Sequence, residues 1–185
     1  MDVTVVYESL FGNTRDIAEA IAAGIRQADP AARVTVLRVA EAGPGQVAEA
    51  GFLVVGGPTH IMRMSSGRTR QMGLQGNGKS GKDRRRAEPE PGAAGPGVRE
   101  WLAALPLARP GAGAAAFDTH LRYPLAGGAA RPIARQLRRH GYRVTAKATG
   151  FLVDDAEGPL HEGERERARA WGATLAAQLA APTHR

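Results

Sequence analysis

Thr4-Val-Val-Tyr-Glu-Ser-Leu-Phe-Gly-Asn-Thr-Arg-Asp-Ile17 is the stretch whose reading decides the fold. Thr4 to Tyr7 is β-branched and aromatic, which suits a strand. Glu8 to Thr14 then offers two hydroxyls, an amide and a glycine. Beyond it Ile17, Ile21 and Ile25 recur at i, i+4 and i+8, one face of a helix. A strand that passes through a hydroxyl-rich turn into a helix N-terminus makes an anion site. The first helical turn has free N–H groups, and the helix dipole favours negative charge there. Gly12 lets a ligand approach the backbone closely. Ser9, Asn13 and Thr14 can donate to phosphate oxygens. The competing reading is an ordinary capped turn, with Asn13 or Thr14 as the N-cap.

The whole chain has 185 residues, 43% of them hydrophobic, which suits one domain with a useful core. It has no apolar run long enough to span a membrane. The sequence enters a strand directly from Met1, so no signal peptide is expected and the cytoplasm is the expected location. The absence of cysteine excludes disulfides and cysteine-ligated metal. The formal net charge is +7 and the pI about 10.7, with much of the charge in residues 63–86 and the rest spread over helix surfaces and the tail. Such a balance invites a nucleic-acid partner. Stacking aromatics are absent from that segment, however, so specific nucleic-acid reading is disfavoured.

Strand and helix patterns alternate. Strands are expected at residues 2–7, 33–39, 51–56, 112–117 and 142–153, with helices at 15–27, 98–105, 132–140 and 162–181. Residues 42–50 allow about one helical turn. The run Gly51-Phe-Leu-Val-Val-Gly56 is continuously apolar, as a strand buried on both faces is. Gly141 should be the C-cap of the helix over 132–140. From 62 to 97 periodicity disappears, and this Gly-, Arg-, Ser- and Pro-rich segment is expected to be a long flexible basic insertion loop. Five strands alternating with helices predict a single α/β domain, residues 1–185, with a parallel sheet between two helical layers.

In such sheets ligands bind beyond the C-terminal ends of the strands, where the strand order reverses. Three strand ends carry polar loops, the first two with glycine: Ser9–Thr14, Gly56-Gly-Pro-Thr-His60 and Phe117-Asp-Thr-His-Leu121, running on to Tyr123. Here the chain resembles the flavodoxins. Ser9-Leu-Phe-Gly-Asn-Thr14 looks like their phosphate loop, and the turn with Gly56, Pro58 and Thr59 looks like the start of their flavin pocket. The resemblance covers nearly the whole chain apart from 62–97. It implies a three-layer α/β/α sandwich with a five-stranded parallel sheet in the order 2-1-3-4-5, flavodoxin itself being the standing example of ligand binding at that switch point. It further implies non-covalently bound FMN. Ser9, Leu10, Phe11, Gly12, Asn13 and Thr14 would hold the phosphate. Pro58, Thr59 and His60 would line one side of the ring, and Asp118, Thr119, His120 and Tyr123 the other.

Other signals lack their context. Gly73-Leu-Gln-Gly-Asn-Gly-Lys-Ser80 satisfies a P-loop pattern, but neither a buried strand before it nor a helix after it is legible. His60, His120 and His161 do not have metal-ligand spacing, and Asp154, Asp155 and Glu157 read as an acidic turn. With no evident catalytic proton donor, the implied function is electron transfer with a redox partner protein. The alternatives are an FMN-dependent NAD(P)H/quinone oxidoreductase and a flavin-free interaction module that uses the basic loop.

Overall fold

The computed structural model describes residues 1–48, 50–60, 63–75, 88–122 and 128–180. In chain order its elements are β1 (Asp2–Tyr7), α1 (Asn13–Ala28), β2 (Arg33–Arg38), α2 (Pro44–Ala48), β3 (Phe52–His60), β4 (Arg63–Met64), α3 (Gly67–Gln75), α4 (Val98–Ala104), β5 (Gly113–Leu121), α5 (Ala130–Arg139), β6 (Arg143–Val144), β7 (Thr149–Val153) and α6 (Glu164–Ala180).

The parallel sheet runs β2-β1-β3-β5, and the far side of β5 carries β6 and then β7. This is the expected 2-1-3-4-5 order, with β5 as the fourth strand and β6 and β7 together as the fifth. One register row crosses all five: Arg38, Tyr7, Gly56, Phe117, Thr149. The fifth strand was expected to be continuous from 142 to 153. It is broken instead, and the pairing offset against β5 grows by two residues between β6 and β7. The extra residues leave the ladder as a bulge.

Side chains alternate across the central strands and fill two cores. Val3, Val5, Phe52, Val54, Ala115 and Phe117 pack beneath α1 and α6. Val6, Leu53, Val55, Ala114 and Ala116 pack beneath α4 and α5. Phe117 lies so close to Gly56 that a Cβ there would fall 2.1 Å from its ring. Phe117, Phe151 and Trp171 meet edge to face, with centroids 6.1–6.4 Å apart. Such pairs stabilise by about 1 kcal/mol each beyond the area they bury. On α1 and α6 the backbones nearly touch at Gly24 and Gly172, where a Cβ would come within 1.9 Å of the Arg169 carbonyl oxygen and 2.2 Å of that of Ile21, respectively.

The expectation of a featureless segment over 62–97 needs correction. β4 pairs antiparallel with the end of β3, Thr59 opposite Met64, and α3 follows it. Ser65, Arg70 and Glu90 are buried polar residues. Local periodicity could not reveal this, because polar contacts to distant residues hold the segment. Residues 76–87, which carry most of the basic cluster, lie outside the described residues. The P-loop-like match begins at Gly73 inside α3, so a helix and not a strand precedes it.

Candidate functional site

The C-terminal ends of β1, β3, β5 and β7 lie at one edge of the sheet, and the loops expected to carry chemistry meet there. The first is the turn between β1 and α1. Gly12 is the residue before α1, with φ +92°, and no side chain caps the helix. Neither Asn13 nor Thr14 is therefore the N-cap: both are already helical, and the left-handed turn that starts the helix needs the glycine. The Gly12 N–H donates to Ser9 Oγ at 3.0 Å, which leaves the Ser9 hydroxyl proton available. Leu10 and Thr14 are buried, and Ser9, Phe11 and Asn13 half-buried. Asn13 lies against Gly158, where a Cβ would fall 2.6 Å from its amide nitrogen.

Thr14 is joined to the C-terminal end of β5. Its Oγ1 lies 2.7 Å from Thr119 Oγ1 in a buried bond. Asp118, 1% exposed, carries the next connection. Its Oδ2 accepts from Thr59 Oγ1 (3.1 Å) and from the Ala130 N–H (2.8 Å), while Oδ1 faces His120 Nδ1 at 3.1 Å. Thr59 Oγ1 in turn accepts the Ala129 N–H at 2.9 Å. Asp118 and Thr59 thus cap the N-terminus of α5, where the helix dipole favours a carboxylate. A Cβ at Gly128 would come within 2.6 Å of Asp118, so the chain must pass this point as glycine. The hydrogen bond with Asp118, outweighing partial burial, raises the pKa of His120 above its ordinary 6.5.

The expected site residues are distributed as follows. Ser9, Leu10, Phe11, Gly12, Asn13 and Thr14 form one turn. Thr59 hydrogen-bonds to Asp118 and Thr119 to Thr14, and Pro58 and His120 are half-buried beside them. His60 ends β3, and Tyr123 lies outside the described residues.

Three further charged residues gained no role from the sequence. Glu8, 4% exposed, accepts the Val98 N–H at 2.8 Å and the Ser65 hydroxyl, and its Oε1 is 3.9 Å from Arg70. Burial raises its pKa above the ordinary 4.5, against the lowering by Ser65, Val98 and Arg70. Arg70, also buried, bonds Glu100 at 3.0 Å and Ser65 Oγ at 3.2 Å. Glu90 donates its N–H to the Leu10 carbonyl at 2.8 Å, and its carboxylate pairs with Arg15 and lies 4.0 Å from Arg38. Among the described residues Glu90 Oε2 is buried with no hydrogen-bond partner. Together they fasten the 63–75 and 88–97 segments to the end of β1 and the first turn of α1. No local signal marks such pairs, since the partners are far apart in sequence.

Beside the ends of β5 and β7 is a cavity of about 320 Å³ lined by Leu121, Arg122, Leu152, Val153, Asp154 and His161. Asp154 Oδ1 is 2.7 Å from His161 Nδ1. Among the described residues no group of three acidic or histidine side chains could hold a metal, and no helix is long and apolar enough to cross a membrane.

Residues 5–68 match the family model for flavodoxin. A comparison with curated protein sequences found no match. Among solved structures, a flavodoxin from the domain Archaea superposes with a TM-score of 0.64 at 22% identity, over 97% of this chain and 99% of that one. Oxidised Flavodoxin 1 from Bacillus cereus gives 0.62 at 15% identity, over 96% and 98%. The Flv1 flavodiiron core from Synechocystis sp. PCC6803 gives 0.61 at 17% identity, over 97% of this chain and 36% of that larger one. The chain is therefore flavodoxin-like, with the family's sequence pattern over residues 5–68 and its fold over nearly the whole length.

Proposed function

We propose that the protein binds FMN non-covalently at this edge of the sheet and passes electrons to a partner protein. The observation that supports it best is the N-terminus of α1: a long helix that no side chain caps, entered through Gly12 in a left-handed conformation. Its first-turn N–H groups are the donors a phosphate requires, and Gly12 supplies the left-handed turn that begins the helix. The donor set fits the group, with Ser9 adding a hydroxyl and Thr14 braced from behind by Thr119. Arg15 and Arg38 offset the negative charge of Glu90, which would otherwise oppose an anion nearby. Bound FMN would supply the one- and two-electron chemistry; the chain supplies position and electrostatics.

The test is the visible spectrum of the purified protein before and after FMN addition, followed by the Gly12→Val variant. A β-branched residue at φ +92° is strained by about 1–3 kcal/mol, which a folded domain of this size tolerates. FMN affinity should fall about a hundredfold through the loss of charge-assisted bonds. Unchanged uptake by this variant would refute the phosphate-loop assignment, and a wild-type protein that ignores FMN would refute cofactor binding.

The Asp118–His120 pair favours a second reading, an FMN-dependent NAD(P)H/quinone oxidoreductase. A histidine oriented by a buried carboxylate can hold a proton at Nε2 near neutral pH. Turnover of NAD(P)H with a quinone by the FMN-loaded protein would support that reading. Electron exchange with a protein acceptor only would support the carrier.

A further inference from the structure

On α5, Ala130, Ile133, Ala134 and Leu137 face the core, while Arg131, Arg135, Arg138 and Arg139 are exposed. The spacing i, i+4, i+7 and i+8 puts the four guanidiniums on one face, along about 12 Å of helix. The helix has no acidic residue. Among the described residues none of the four guanidinium groups forms an ion pair or hydrogen bond. Several arginines elsewhere are paired, Arg15 with Asp16 and Glu90, Arg33 with Asp2, Arg70 with Glu100, Arg165 with Asp16 and Arg167 with Glu164, whereas Arg68, Arg143 and Arg169 stand unpaired among the described residues but singly, not in a row. Repulsion between like charges four apart disfavours α5 itself. The helix dipole accounts for Arg138 and Arg139 in the last turn, but it opposes Arg131 in the first.

Beside the C-terminal end of this row stands Leu107, 79% exposed. Its neighbour Ala108 donates its N–H to the His140 carbonyl at 2.7 Å, which fixes the leucine next to the end of α5. A lone exposed leucine is unremarkable. An apolar side chain held at the end of an unneutralised arginine row is the anatomy of a protein interface, an apolar anchor with a charged rim.

We infer that the outer face of α5, with Leu107 at its lower end, docks an acidic protein surface. The partner presents carboxylates at helical spacing, which Arg forks engage bidentately, and an apolar seat for Leu107. A nucleic acid is the poorer match: phosphates would find no seat for Leu107, and the exposed face offers no stacking aromatic. This inference does not depend on FMN binding.

The test compares the triple variant Arg131→Gln, Arg135→Gln, Arg138→Gln with a triple of equal net charge, Arg26→Gln, Arg68→Gln, Arg169→Gln. One probe is a fluorescent helical peptide with glutamates at i, i+4 and i+7 and leucines on the flanking row. The other is a short DNA duplex of matched charge. Removing like-charge neighbours does not weaken α5, so the α5 triple should fold. Peptide affinity should fall about tenfold in the α5 triple and less than twofold in the control. Leu107→Ser should weaken peptide binding without changing its salt dependence. Equal losses in both triples would reduce the effect to net charge and overturn the proposal. Tighter wild-type binding to the duplex, lost in the α5 triple, would overturn it in favour of a nucleic-acid surface.

Discussion

Replacing Gly24 with alanine isolates the packing that sets α1 in place. In an open helix interior this change should stabilise by about 1 kcal/mol, because glycine is the poorer helix former. At Gly24 the new Cβ would stand 1.9 Å from the Arg169 carbonyl oxygen and 2.8 Å from its carbon. An ordinary C···O contact is about 3.3 Å or more, so the helices must part by about 1.4 Å. Gaps of 0.5–1 Å already forfeit about a quarter to a half of each dispersion contact across them. Ile17, Ile21, Ile25, Ala168, Leu175 and Ala176 share that core. Overpacking of this kind costs about 1–3 kcal/mol or more, and against backbone the upper end applies. Net of the propensity gain, Gly24→Ala should destabilise by about 2 kcal/mol, which lowers the melting temperature by roughly 4–8 °C. Gly172→Ala should behave alike, and the double variant should cost less than the sum, since one separation relieves both contacts. Gly45→Ala is the control: it lies in α2 with nothing within 4 Å of the added Cβ, and should leave stability equal or slightly higher. Urea unfolding followed by circular dichroism measures all four. A Gly24→Ala midpoint at or above wild type would refute the reasoning.

Two predictions concern titration. Folding raises the Glu8 pKa, so the folded state holds that proton more tightly than the unfolded chain does. Its contribution is complete below the unfolded value of 4.5 and is lost as pH rises through the folded pKa. In Glu8→Gln the decline of stability above pH 4.5 should be shallower than in wild type; parallel urea-midpoint profiles for the two would sink the assignment. His120, raised by Asp118, should titrate above 6.5 by NMR, with stability present below 6.5 and lost as pH rises through the folded value. Asp118→Asn should bring the midpoint down, and a wild-type midpoint at or below 6.5 would contradict the observed pair.

What the sequence reveals, it reveals through local pattern. The isoleucines of α1 and the unbroken apolar run of β3 each carry their own periodicity, and the glycine-bearing strand ends point to one edge of the sheet. Gly141, expected as the C-cap of α5, follows the cap residue His140 and takes the left-handed turn beyond it with φ +87°. The hidden part depends on pairing over distance. Arg70 reads as one more surface cation until Glu8 is known to lie behind it. Glu90 sits in a Pro-rich stretch with no hint that Arg15 awaits it. Thr59 and Asp118 look like free polar site residues, yet one polar side chain suits a ligand or a helix end equally. Only the position of α5 shows that both cap it.

The break between β6 and β7 has a consequence for how copies of this chain meet. A strand edge with free N–H and C=O groups invites another chain to add on. On this side of the sheet the invitation is cut into two residues and five, with exposed Lys147 standing in the gap. At the opposite edge β2 exposes Arg33 and Thr35 on alternate positions, and Asp2 and Arg33 pair across its start. Neither border offers a long, flat, uncharged template, so the sheet is guarded against growth into aggregates and contact with other molecules falls to its helical faces.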